Sequence, residues 1–176
     1  MKARTIQNHL KACSKEELVQ MLLDLANRNP AVERFLIAKF DPTAPVPEFE
    51  DYKAEVRTEF FPRRGFGNGN PSIAFRLLQR VEAETTSPKQ VIDFIYHCIE
   101  TGVEFTAAYG DIDEEYYTAF EELFERAAKL AVTENLIHEY EVRARHIVKG
   151  TYEMGWGLYD ELERIFSEYF AATEGS

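Results

Sequence analysis

The chain has 176 residues, of which 45% are hydrophobic and 29% charged, and its formal net charge is −11. This composition is typical of one folded domain, and no apolar run approaches the roughly 20 residues of a transmembrane helix, which excludes a membrane-spanning protein. The charge is uneven, because residues 1–88 carry 13 Lys and Arg against 12 Asp and Glu, whereas residues 89–176 carry 7 against 19.

Two helices are predicted before residue 29. Apolar residues recur at helical spacing over residues 6–13, which predicts a short first helix. Ser14 and Glu17 have the spacing of a capping box and predict the start of a second helix that ends near Arg28. Its apolar stripe is formed by four residues. They are Leu18, Met21, Leu22 and Leu25.

A third helix is predicted to start at Asn29-Pro30, because these residue types suit the N-cap and the first helical position. It runs through Phe40 and completes an N-terminal helical hairpin over residues 1–40. Residues 41–47 contain three prolines and are predicted to form a stiff connector, because proline fits neither a helix interior nor a β-ladder.

The rest of the chain is also predicted to be helical, which makes the fold class all-α. Pro62 ends one helix, Gly102 is expected to end another, and the helix that follows Glu115 is expected to be the longest. We expect one domain of paired short helices, either an irregular bundle or an α-α superhelix, with a main body over residues 48–170 and a disordered tail over 171–176. The body helices are predicted over residues 48–61, 72–82, 88–101, 115–133, 136–148 and 158–170.

Arg63 and Arg64 are adjacent at the start of the one glycine-rich loop, residues 63–71. Paired guanidinium groups beside free loop amides are typical of an anion site for a phosphate or carboxylate. The favoured interpretation is simpler, with one arginine paired to the acidic half and the other solvated. The glycines match neither a dinucleotide fingerprint nor a phosphate loop.

Carboxylates are concentrated in residues 102–115, where Glu104, Asp111 and Asp113 accompany Tyr109. Such oxygens could bind a divalent cation, but the spacing of a calcium loop is absent. The favoured interpretation is an aspartate N-cap with acidic residues in the first helical turn, where the helix dipole stabilises them. These residues are therefore candidates for a ligand site or an interface, and no metal is expected.

The single tryptophan, Trp156, lies between two glycines. A tryptophan in this setting is most often a packing anchor. The alternative is an exposed platform that contacts a ligand or a partner, because tryptophan is enriched at interfaces.

The cysteines and the N-terminus bear on the compartment. Two cysteines are too few for a disulfide framework, so Cys13 and Cys98 are expected to be buried as small apolar side chains. The N-terminus lacks the apolar stretch of a signal peptide, and we expect a cytoplasmic protein. No cofactor and no membrane partner are expected, and nucleic acid is unlikely to bind a chain this acidic.

The order of several motifs resembles an uncharacterised family of small all-helical bacterial proteins, a domain of unknown function. The resemblance is carried by residues 10–25, 60–65, 102–106, 109–114 and 155–157. It spans most of the chain and implies a cytosolic helical protein with no assigned activity, cofactor or catalytic residue.

The favoured hypothesis is a non-enzymatic module that binds a protein partner, and the acidic half favours a basic one. A second hypothesis is an anion-binding or phosphoryl-binding protein, or an enzyme, in which Arg63 and Arg64 face Asp111, Asp113 and Trp156 across a cleft. A third makes these side chains an internal salt-bridge network. Whether the chain is an enzyme, and its oligomeric state, stay open.

Overall fold

A computed structural model describes residues 2–40 and 49–170, and within these ranges the chain forms nine α-helices and no strand. The prediction of an all-α bundle is confirmed. The predicted connector over 41–47 and the tail over 171–176 lie outside the described residues. The helices are α1 (Lys2–Ala12), α2 (Lys15–Arg28), α3 (Pro30–Phe40), α4 (Phe49–Phe60), α5 (Ser72–Glu84), α6 (Pro88–Tyr109), α7 (Glu114–Thr133), α8 (Ile137–Gly150) and α9 (Leu158–Tyr169).

Helices α1 to α3 form what we call the arm, residues 2–40. The capping box at its centre is confirmed, since the Glu17 N–H donates to Ser14 Oγ at 3.2 Å and the Ser14 N–H donates to Glu17 Oε2 at 2.7 Å. These bonds satisfy two of the backbone donors that the start of α2 leaves without a helical partner. Helix α1 begins before the predicted residue 6, at Lys2.

The arm is joined to the rest of the molecule through α3. Helix α2 packs on α3, and α3 packs on α5. Arg34 of α3 donates to Glu84 Oε1 of α5 at 3.4 Å, and the same buried carboxylate accepts from the Tyr52 hydroxyl at 2.9 and 3.1 Å. A buried carboxylate is costly unless it is paired and hydrogen-bonded, and Glu84 is both.

Helices α4 to α9 form the body, residues 49–170, and α6 is its central helix. It packs against α4, α5, α7 and α8. Gly102 does not end this helix, which continues to Tyr109. The residue type is explained by packing, because the missing side chain makes room for the ring of Phe120 on α7. With 22 residues α6 is therefore longer than α7, which has 20, contrary to the prediction. Glu104 consequently lies on a helix instead of a loop.

Burial differs sharply between the arm and the body. The body contains the aromatic core, whereas α2 has no buried residue. Cys98 in α6 is buried as predicted, and burial raises the pKa of its thiol. Cys13 in the arm is only partly buried, and the prediction that it is a buried apolar side chain is wrong. None of the helices in residues 2–40 and 49–170 has both the length and the apolar character that crossing a bilayer requires.

Candidate functional site

Asp111 connects two loops of the body. Its Oδ1 accepts from the backbone N–H of Gly155 at 2.9 Å and from the hydroxyl of Tyr117 at 2.7 Å. Both bonds favour the ionised carboxylate and hold the pKa of Asp111 below its usual value. The side chain therefore ties the α6–α7 connection to the α8–α9 connection, a contact between residues 44 apart in sequence.

Asp113 is the N-cap of α7, as the favoured interpretation predicted. Its Oδ1 accepts from the backbone N–H of Tyr116 at 2.8 Å. Glu114 and Glu115 follow in the first helical turn, where the positive end of the helix dipole stabilises them. Over the described part of the chain, no three His, Cys, Asp or Glu side chains converge as metal ligands would.

Glu104 pairs with an arginine that the sequence did not single out. Arg57 Nη2 on α4 donates to Glu104 Oε1 at 2.8 Å, and Nη1 donates to the second carboxylate oxygen. This two-point pair lowers the pKa of Glu104 and raises the pKa of Arg57. The Arg57 guanidinium also lies 4.1 Å from the ring centre of Phe61. Glu104 is thus engaged in joining α4 to α6.

Arg63 and Arg64 are exposed, and neither forms an ion pair with a described carboxylate. The favoured pairing of one of them with the acidic half is therefore wrong for the described residues, as is the internal salt-bridge network. The loop that follows them is packed on the body, since Asn68 N–H donates to the Glu59 carbonyl at 3.0 Å. Gly69, at a φ of 62°, lies against the ring of Phe105 and leaves no space for a side chain.

Tyr109 belongs to an aromatic cluster beside this loop. Its ring centre lies 4.7 Å from that of Phe105, 6.1 Å from that of Phe61 and 5.9 Å from that of Phe66. These distances are typical of favourable ring pairs. The cluster runs from the core to Phe66 at the surface, so Tyr109 helps to hold the glycine-rich loop against α6.

Trp156 and Asp113 meet in an open groove of about 770 Å³, which we call the acidic groove. The tryptophan is 59% exposed, which contradicts a packing anchor, and its φ of 58° is rare for a residue with a side chain. Arg63 and Arg64 do not line this groove. Four carboxylates line the groove with Trp156, and they belong to Asp113, Glu114, Glu115 and Glu122.

The electrostatic field around the acidic groove is negative. Glu121, next to Glu122 on α7, has a raised pKa because it is partly buried and because three carboxylates lie nearby. These carboxylates are Glu161, Glu114 and Glu122. A cation placed here would lower the mutual repulsion of these groups.

A second surface lies on the arm, and the sequence analysis did not identify it. Ten large apolar side chains of residues 2–40 are exposed, against seven in the described body, which is three times as long. Four of them, together with the partly buried Leu18, line a groove of about 660 Å³, and its polar lining residues in the described part of the chain are Asp24 and Arg28. We call this surface the apolar face. Its apolar lining residues are Leu10, Leu18, Met21, Leu22 and Leu25.

A signal for this surface was present in the sequence. At about 100° per residue, the apolar positions of α2 cover an arc of roughly 200°, whereas a helix that packs on one neighbour needs only about half of that. Helix α2 packs on α3, yet five of the six positions remain exposed. The positions are Leu18, Val19, Met21, Leu22, Leu23 and Leu25.

A sequence profile described as a family of unknown function, DUF6155, matches residues 1–170. The chain belongs to this family. The resemblance to an uncharacterised helical family is thereby confirmed. No curated protein and no solved structure matches the chain.

The DUF6155 match covers the arm and the body together, so the apolar face and the acidic groove both lie within the family domain. The family description assigns no activity. The apolar face and the acidic groove are therefore the features of this DUF6155 protein that bear on its function.

Proposed function

We propose that this DUF6155 protein is a non-enzymatic interaction module that binds another protein chain through the apolar face of its arm. The observation that carries the proposal is that α2 buries none of its residues although six of its positions are large and apolar. Contiguous apolar patches of this kind on a protein surface mark interaction sites, because burial is favourable by about 25 cal/mol for each Å² removed from water.

Helix stability supports the same proposal. Helix α2 has 14 residues, and isolated helices of roughly 12–15 residues are only marginally stable in water. Its packing on α3 buries none of its residues fully. A partner chain on the apolar face would bury the apolar side chains of α2 that α3 leaves exposed.

The test compares the wild-type protein with Leu22→Glu, which places a charge at the centre of the apolar face. Native mass spectrometry of gently purified protein should detect a bound second chain, either a copy or a different protein, in the wild type and lose it in the variant. The matched control is Val142→Glu, because Val142 is 80% exposed on α8 and far from the arm in sequence. Equal retention by Leu22→Glu and Val142→Glu would contradict the proposal.

A second contact is favoured by the exposure of Trp156 among carboxylates. An indole face attracts a Lys or Arg side chain, and the carboxylates of the acidic groove add attraction and speed the encounter. We propose that this groove accepts a basic segment of a partner protein. The proposal retains the basic partner favoured by the sequence.

The chain has one tryptophan, so its fluorescence reports on the acidic groove directly. A lysine-rich peptide should shift the emission at low salt, and a glutamate-rich peptide of equal length should not. Glu122→Gln should weaken the peptide affinity by about two- to fivefold, as expected for an exposed ion pair, and salt should weaken it further. Glu134→Gln, an exposed carboxylate beyond the other end of α7, is the control. An equal response to both peptides would contradict this contact.

A further inference from the structure

We infer that the chain covering the apolar face is a second copy of the same chain, paired arm to arm about a two-fold axis. The inference rests on the proposed function, since it names the partner of the same surface. Four properties of the described arm support it: the composition of the face, the exposed apolar area, the concave shape and the charges at the border.

The composition of the face is that of an interface that stays covered. Transient interfaces are about as polar as the rest of a protein surface, whereas homodimer interfaces are more apolar. The apolar lining of the face consists of four leucines and one methionine, and four of these five side chains are 42% to 51% exposed. A surface that must be covered in every molecule needs a partner at the same concentration, and a second copy always meets that condition.

The exposed area is large enough for a dimer. The ten exposed apolar side chains of the described arm together present an apolar area on the order of several hundred Å², the same order as the roughly 800 Å² that each partner contributes to a standard interface. They lie on all three helices of the arm, so a pairing of whole arms is what would cover them.

The shape of the face favours a helix over a membrane. Leu10 of α1 and the apolar residues of α2 line a concave groove of about 660 Å³. Grooves between helices receive the apolar face of another helix, whereas an amphipathic segment on a bilayer presents a flat or convex apolar face. A helix of the second arm is the occupant that this groove fits.

The charges at the border of the groove are self-complementary. Asp24 and Arg28 carry opposite charges four residues apart on α2. Asp24 accepts from the Gln20 side chain at 3.0 Å, and within the described residues Arg28 forms no ion pair. In a two-fold pairing, residue i of one copy contacts residue j of the other, and the reverse contact follows by symmetry. Asp24 of each copy can therefore face Arg28 of the other.

The first experiment is sedimentation equilibrium of the full-length protein. The wild type and the Val142→Glu control should have twice the chain mass of 20.3 kDa, and Leu22→Glu should have the chain mass. Thermal melting of each variant verifies that it is folded. Because α2 has no buried residue, the body should remain folded in Leu22→Glu.

The second experiment exchanges the border charges. Asp24→Arg places two basic pairs across the axis and Arg28→Asp places two acidic pairs, so each variant alone should dimerise about tenfold or more weakly than the wild type. An equal mixture of the two variants should restore the dimer as a heterodimer, because every pair is then opposite in sign. A foreign partner or a membrane predicts no such restoration.

The combined results show whether the partner of the apolar face is a second copy of the chain. Dimers that Leu22→Glu dissociates and that the charge-exchanged mixture restores support the second copy. A wild-type monomer that retains a foreign protein, lost in Leu22→Glu, overturns this inference and leaves the proposed function standing. A wild-type monomer that binds anionic phosphatidylserine vesicles through Leu22, or one that Leu22→Glu does not affect in any of these measurements, overturns both.

Discussion

Replacing Phe60 by alanine should lower the free energy of unfolding by about 3–5 kcal/mol, the range for emptying a buried aromatic site. Phe60 is 0% exposed at the end of α4. Its ring centre lies 5.5 Å from that of Phe105 and 6.4 Å from those of Tyr116 and Phe120. One side chain therefore joins α4, α6 and α7, and its loss leaves a cavity that three rings line.

Urea denaturation of Phe60→Ala beside Phe66→Ala measures this effect. Phe66 has the same side chain six residues later but is 84% exposed, with one ring contact to Tyr109 at 5.9 Å. Its replacement should cost at most about 1 kcal/mol, the value of a single aromatic pair. Similar losses for the two variants would show that the aromatic core does not hold the three helices together.

The sequence was sufficient where local chemistry decides the structure. The capping box of Ser14 and Glu17 and the Asp113 cap of α7 each satisfy backbone N–H groups within three residues, and the proline that begins α3 has no N–H that needs a partner. Such signals need no knowledge of tertiary packing. Helices α2 and α3 start where predicted, and α7 starts at Glu114, shortly before its predicted start after Glu115.

The sequence was insufficient where a distant residue decides. Gly102 has the residue type of a helix end, yet α6 continues past it, and the glycine is there because the ring of Phe120 occupies the space of a side chain. Glu104 was grouped with nearby acids, but its partner Arg57 is 47 residues away. Local periodicity cannot predict either contact, since both depend on how α4 and α7 pack on α6.

The uneven charge follows the division of the fold into arm and body. Arm residues 2–40 carry seven Lys and Arg against four Asp and Glu, a net +3, whereas body residues 49–170 carry 13 against 24, a net −11. Among the described residues the acidic excess therefore lies entirely in the body, whereas the arm has a small excess of basic residues. An arm that pairs with a second arm leaves both acidic grooves available to a basic segment. The two proposed contacts are thus compatible in one assembly.

Gly102→Ala should lower the free energy of unfolding by about 1–2 kcal/mol, even though alanine is the better helix former. The added methyl group would overlap the ring of Phe120, and overpacking a full core costs about 1–3 kcal/mol, which exceeds the roughly 0.5–1 kcal/mol gained in helix propensity. The control is Gly150→Ala, where the new methyl group would lie 3.5 Å from Val103, an ordinary contact. That variant should be neutral or more stable by up to about 1 kcal/mol.

A double-mutant cycle identifies the cause of the loss. In a Phe120→Leu background the side chain facing residue 102 is smaller, so Gly102→Ala should cost less there than in the wild type, with a coupling of about 0.5–3 kcal/mol between the two positions. An equal cost in both backgrounds would mean that glycine is required at position 102 for a reason other than the contact with Phe120. The expected coupling would instead establish that glycine is required at position 102 because α6 and α7 approach each other closely there.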